Sequence, residues 1–312
     1  MRSSALRLLL LLLAGLAPAP GLAQPFPSRP ITIVVPEAPG GQSDRLARIL
    51  APELSKLWGQ PVNVENDPAE GGRSAAWRVS RSSWDAYTLL LATTAILDDP
   101  KRHQFAPVAT VATSPLVLLA NARSKVAGVA GLVKIARARP GKHAYGALDA
   151  PLAIGLAGEH FKAVAGVDLR RVSFDSADAL IAALASGKID VAFLPLGEAL
   201  APLASGKAKA LAVTGAARAH ALPKVPTVAE SGFPAFEAVG WQGLMLPIAT
   251  PKPLVAIHNA DANKVLEMTG VREKILALGA EPGGGSSGRL FDLMRMDREP
   301  RRKPGQPPAE RK

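Results

Sequence analysis

The 312-residue sequence predicts an α/β fold of two lobes, each a mainly parallel sheet flanked by helices. Three observations carry this reading. Short apolar, β-branched runs alternate with amphipathic helical segments along nearly the whole chain, the pattern of parallel strands joined by crossover helices. Glycine-rich turns mark the change from strand to helix. Beyond the first two dozen positions, roughly 290 residues hold no second apolar stretch near ~18 residues, which is enough chain for two cores.

Ile31–Val35 reads as the first strand, followed by the loop Pro36–Gln42 and a helix capped by Ser43. That helix carries Leu46, Ile49, Leu50, Leu54 and Leu57 on one face and ends at Gly59. The unit repeats as a strand at Val62–Glu65, a turn at Asn66–Gly72, a helix near Arg73–Ser82 and a buried strand at Tyr87–Ala92. A second sheet is expected from His143–Ala147, Arg171–Phe174, Ile189–Phe193 and Ala208–Val213, with helical patterns such as Ala177–Ala185 between them. The last third gives a strand at Trp241–Leu246 and helices at Pro253–Leu266 and Val271–Leu278, Pro253 suiting a first turn. Arg298–Lys312, rich in proline and charge, is expected to be disordered.

Arg2 and Arg7 flank an apolar run, Leu8–Ala17, that is short for a membrane span and is followed by Pro18, Pro20, Gly21 and Ala23. This is the pattern of a signal peptide, residues 1–23, cleaved near Ala23 to leave Gln24 first and the protein in the periplasm. The sequence has no cysteine, which excludes disulfides, thiolate chemistry and lipid attachment through a thiol. The formal net charge is +11, but Arg2, Arg7 and the basic tail after Met294 supply more than half of it. A mildly basic body with few aromatics and no stripe of Arg and Lys speaks against nucleic acid and suits attraction of small anions.

Gly283–Gly288 satisfies two catalytic patterns as a string, the dinucleotide fingerprint and the Gly-x-Ser-x-Gly elbow. Neither fits its surroundings, because no βαβ unit follows and all five histidines (His103, His143, His160, His220, His258) precede Ser286. The histidines lack metal spacing, so no cofactor, no metal and no catalytic residue is expected. The loop Pro39-Gly40-Gly41-Gln42-Ser43-Asp44 differs: two glycines at a helix start leave backbone N–H groups able to converge on an anion such as a carboxylate. An ordinary tight turn is the alternative reading of the same loop. Thr93 and Thr94, after the third strand, join the candidate ligand-binding set.

The chain resembles the substrate-binding receptors of tripartite tricarboxylate transporters, the Bug-type receptors. The resemblance runs from Pro27 to about Met294 and rests on Pro27-Ser28-Arg29-Pro30-Ile31, Val34-Val35-Pro36, the Pro39-Gly40-Gly41 loop ending in Asp44, and Gly59-Gln60-Pro61-Val62 before Glu65-Asn66. It continues through Tyr87–Leu91, Phe105–Ala109, Leu156–Glu159 and Leu211–Thr214, and is most diagnostic at Val225–Gly232 and Leu278–Pro282. It implies a two-lobed periplasmic binding protein, type II-like, with the ligand cleft between lobes and hinge closure on ligand. Lobe one would be residues 24–119 and 240–294, lobe two 120–239, with crossings near Leu119 and Gly240 and a tail over 295–312. It also implies a monomer that captures a small carboxylate or amino acid for membrane transporter subunits, and that is not an enzyme.

In such receptors a ligand carboxylate is held between two strand–turn–helix loops. Here these correspond to Gly40–Asp44 and to the stretch after Tyr145, Gly146-Ala147-Leu148-Asp149-Ala150-Pro151-Leu152. The second departs from the small, polar, glycine-rich pattern: hydroxyls are missing, Pro151 removes a donor and Asp149 carries charge. Asp175-Ser176 stands where Lys-Gly is expected, Glu37 replaces an apolar residue, and the chain between Ala95 and Phe105 is about a dozen residues short of the family pattern. These changes point to a ligand bearing a positive or amide group that Asp149 or Asp175 meets, or to a cleft that has lost small-molecule binding and acts through protein contacts.

Overall fold

The structure, a computed structural model, describes residues 26–94, 105–148 and 153–296, without the side chains of 153 and 154. The signal peptide, the shortened stretch after Ala95, Asp149 with the rest of its loop, and the C-terminal tail lie outside the described residues.

The chain opens with β1 (Ile31–Val35), α1 (Gln42–Trp58), β2 (Val62–Asn66), α2 (Arg73–Ser80) and β3 (Thr88–Thr93). β1 lies between β2 and β3 and is parallel to both. The apolar residues of α1 sort to one side because 3.6 residues make a turn: Leu46, Leu50 and Leu54 are fully buried, each stabilising by about 1.5–3 kcal/mol, while Leu57 stays 41% exposed. Gly59 ends this helix in the left-handed conformation, at φ 65°. Its start differs from expectation. Gly41, not Ser43, is the capping residue, because the Ser43 hydroxyl is turned instead toward a carboxylate preceding the helix.

β4 (Phe105–Asn121) is the longest strand and joins the two halves of the sheet. As far as Pro115 it pairs antiparallel with β9 (Val239–Pro247), and also with β10 (Glu281–Gly284). From Leu116 it pairs with β7 (Val191–Pro195), and from Val117 with β8 (Ala208–Val213), both antiparallel. Proline has no N–H to give a ladder, so Pro115 suits the point of exchange. The second half contains α3 (Gly128–Ala138), β5 (Ala144–Leu148), α4 (Ala153–Ala165), β6 (Arg170–Phe174), α5 (Ala177–Ala185) and α6 (Leu196–Ala204), the last leaving β7 directly. β5 is parallel to both β6 and β7. α7 (Lys252–Glu267), α8 (Thr269–Ala277) and α9 (Ser287–Met296) complete the chain. The strand order β2-β1-β3-β9-β4-β7-β5-β6 makes the sheet mixed: parallel at both flanks, antiparallel where β4 and β9 run through the centre.

Helices cover both faces of each half. Ile31, Ile33 and Val35 point toward α1, α7 and α8, while Val34 points the other way, toward α2 and α9. In the second half Tyr145, Ala147 and Phe193 pack under α3 and α4, and Leu180, Leu184 and Ala199 of α5 and α6 close the opposite face. Thr214 fastens the place where the halves meet. Its fully buried hydroxyl accepts from the Leu116 N–H at 2.7 Å and donates to the Ala238 carbonyl at 2.5 Å, tying β4 to the segment entering β9.

Candidate functional site

A cavity of about 430 Å³ lies between the two halves. One wall is the first turns of α1, with Gln42 and Arg45, together with Leu278 and Gly279; the other is Pro195–Glu198, where β7 becomes α6; Ser114 of β4 lies between them. β1 and β7 both deliver their carboxyl ends here, and the crevice outside such strand ends is where an open α/β sheet presents ligand-binding groups.

The first wall is built by the loop after β1. Gly40, at φ 87°, takes a backbone conformation that a side chain disfavours and turns the chain into α1. Glu37 then reaches back over the helix start: its Oε2 accepts the Ser43 N–H at 2.9 Å and its Oε1 the Ser43 hydroxyl at 2.6 Å. A Cβ on Gly41 would lie 2.5 Å from that Oε2, so only glycine lets the carboxylate sit there. Asp44 accepts the Gly40 N–H at 2.8 Å, and the Gly41 N–H goes to the Ala38 carbonyl. Three amides that the glycine-rich loop was expected to offer a ligand are therefore committed within the chain, leaving Gln42 and Asp44 as the helix-start amides with no carbonyl four residues back.

Asp44 is only 3% exposed. Burial opposes its ionisation, but bonds from Arg48, the Gly40 amide and Asn66 outweigh it and hold the carboxyl below its ordinary 3.8. Arg48 Nε lies 2.9 Å and Asn66 Nδ2 2.9 Å from Asp44 Oδ1, and Asn66 also donates to the Glu37 carbonyl. Asp44 thus braces the loop and does not face the cavity.

Gln42 does face it. Its Nε2 donates to Ser114 Oγ at 3.5 Å, and its Oε1 accepts from Gln242 Nε2 at 3.3 Å, a relay leading to the buried centre of β9. Gln242 is 7% exposed, and its Oε1 has no partner among the described residues. Thr93 and Thr94 belong to the same neighbourhood, Thr93 opposite Gln242 in the ladder and Thr94 Oγ1 accepting the Trp241 N–H at 3.3 Å.

The candidates of the second half are placed differently. Gly146 is a packing glycine: a Cβ there would lie 2.5 Å from Ile189 and 3.2 Å from Phe174. Ala147 is fully buried beside Phe193, and Leu148 ends β5 opposite Phe174 of β6. Asp175 and Ser176 are exposed in the next loop, where Ser176 caps α5 by accepting the Ala179 N–H at 3.3 Å. Pro39 is exposed at the tip of the first loop. Residues that sequence reasoning passed over take part instead: Arg45, Ser114, Gln242, Glu198 and the Leu278–Gly279 turn. A second strand-to-helix junction at Pro195-Leu196-Gly197 was the available signal for Glu198. That carboxyl sits in the first turn of α6, where burial first, and the neighbouring charge of Asp178 second, push it above its ordinary range.

Among the described residues no three His, Asp or Glu side chains are grouped to hold a metal ion, and no helix is long and apolar enough to cross a membrane. The sequence model of the tripartite tricarboxylate transporter family receptor matches residues 46–304. The chain belongs to that receptor family. The receptor is 34% identical over 284 residues to a Pseudomonas sp. (strain P51) protein of the tcbD–tcbE intergenic region, covering 88% of this chain and 84% of the relative. It is 31% identical to protein BugT of Bordetella pertussis, covering 86% of each chain. Among solved structures, a Rhodopseudomonas palustris protein with adipate matches with a TM-score of 0.57 at 32% identity, over 87% of this chain and 94% of that one. MatC from the same organism, with bound malate, matches with a TM-score of 0.56 at 28% identity, over 88% and 98%. A TctC solute-binding protein from Polaromonas shares the fold, with a TM-score of 0.78 at 23% identity over 88% and 96%. Fold and family are those of substrate-binding receptors.

Proposed function

We propose that the protein is an extracytoplasmic solute receptor that captures a small carboxylate-bearing molecule, an organic acid or an amino acid, and delivers it to a tripartite tricarboxylate-type transporter. The observation that carries this reading is the cavity between the two halves of the sheet, lined by polar groups of Gln42, Arg45 and Ser114 at the carboxyl ends of β1 and β7. Relatives solved with malate and adipate support a carboxylate ligand. The two halves act as lobes, exchanging chain where β4 passes from β9 to β7 at Pro115–Leu116 and where Ala238 leads into β9, so that ligand capture draws them together. No reaction is assigned to the cavity; the protein works as a periplasmic monomer and releases its ligand unchanged.

A second reading has its own observation. Glu37 occupies the helix start that would otherwise receive a ligand carboxylate, which suits a receptor that no longer binds small molecules and acts through protein contacts. Titration calorimetry of the purified protein with malate, adipate and neutral amino acids separates the two. Saturable binding with one site per chain supports the receptor; no heat from any of them supports the second reading.

A further inference from the structure

We propose that the cavity between α1 and α6 takes a ligand carrying both a cationic amino group and a carboxylate, the amino group seated on Glu198 and the carboxylate on Arg45. The inference rests on the receptor reading and specifies its ligand. Three observations converge on it.

Arg45 is held by the base of its guanidinium, Nε donating to the Gly40 carbonyl at 2.8 Å, and its two outer nitrogens have no partner among the described residues. The head is thereby aimed but unspent, and a planar pair of donors matches a carboxylate. On the opposite wall, Glu198 lines the cavity with neither an ion pair nor a hydrogen bond among the described residues, and it lies near a second carboxylate, Asp178. A cation placed there relieves the repulsion between the two carboxylates, whereas a ligand carboxylate would add a third negative charge. Finally, the α1 start is not open to a further anion, since Glu37 holds the Ser43 N–H and hydroxyl and Asp44 holds the Gly40 N–H. A dicarboxylate entering this cavity meets one cationic group, Arg45, and one protein carboxylate, Glu198; an amino acid meets one partner for each of its charges.

Matched pairs that differ only in amino group against hydroxyl isolate the effect: alanine with lactate, and aspartate with malate. Calorimetric titration of the purified protein should show the amino acid binding at least about tenfold more tightly in each pair, the worth of one charge-assisted bond. Glu198→Gln should abolish that difference, weakening the amino acid and not the hydroxy acid, and Arg45→Gln should weaken both members of a pair. Malate or lactate binding as tightly as its amino partner overturns the inference and leaves the receptor reading standing. Absence of binding by all four compounds and by adipate overturns both. The comparison within the unsubstituted protein decides the matter even where a variant fails to fold.

Discussion

Replacing Glu37 with leucine removes the side chain that holds Ser43 at the start of α1 from within. Two bonds are lost, Oε1 to the Ser43 hydroxyl at 2.6 Å and Oε2 to the Ser43 amide at 2.9 Å, together with a negative charge at the positive end of a 17-residue helix. A bond to a charged group contributes about 1.5–3 kcal/mol and the helix-end charge about 0.3–1 kcal/mol. Ser43 is fully buried, so its freed N–H loses its partner without gaining water, and the net loss should be about 1–3 kcal/mol, or about 2–12 °C in melting temperature. The same change empties a seat for an anion. Malate and adipate should bind about tenfold or more tightly to Glu37→Leu than to the parent, because one charge-assisted bond has that value. Thermal unfolding reads the first effect and titration calorimetry the second. A variant that melts like the parent and binds dicarboxylates no better would show that Glu37 fills no anion seat.

Thr214→Val keeps the shape but leaves the buried Leu116 N–H and Ala238 carbonyl without the hydroxyl, and should cost about 1–3 kcal/mol by denaturant unfolding; an unchanged midpoint would mean that the clamp at the crossing is dispensable. His258 is buried with Nε2 on the Ala86 carbonyl, and burial drives its pKa down to about 4. The unfolded chain takes up a proton near 6.5 and the folded one only near 4, so stability is full above 6.5 and falls by on the order of 3 kcal/mol as pH drops to 4. His258→Gln should remove that segment of the melting-temperature profile, and a profile of unchanged shape would contradict the assignment. Gly158→Ala forces a Cβ to 2.0 Å from the Tyr145 ring and should cost about 1–3 kcal/mol through overpacking between α4 and β5, whereas a neutral result would mean that the helix shifts freely.

Where one local rule decided an element, the sequence was sufficient. β1 and α5 lie where apolar alternation and helical periodicity place them, Ile31–Val35 and Ala177–Ala185, and Gly59 ends α1 for the reason that glycine tolerates φ 65°. β4 was illegible because Pro107 and Pro115 interrupt it and because its two ends serve different partners, a property of the assembled sheet alone. At α1 the sequence offered a serine cap, and a glutamate six residues earlier won the serine for itself. Gly146 read as a loop donor but is required by the approach of Ile189 to β5, a long-range contact that no local pattern carries. Arg45 and Glu198 are 153 positions apart, and only the meeting of the carboxyl ends of β1 and β7 sets them on facing walls of one cavity. The glycine-rich turn into α1 was thus recognisable as a motif, while its occupation by the protein's own carboxylate was visible only in three dimensions.

Thermal unfolding of the purified protein with and without millimolar malate, adipate, citrate, aspartate and alanine tests the receptor assignment most directly. Ligand at about one hundred times its dissociation constant should stabilise the fold by about 2.7 kcal/mol, a rise of about 5–10 °C, and should do so selectively for one chemical class. A cooperative transition that none of these compounds moves would contradict capture of a small carboxylate-bearing solute.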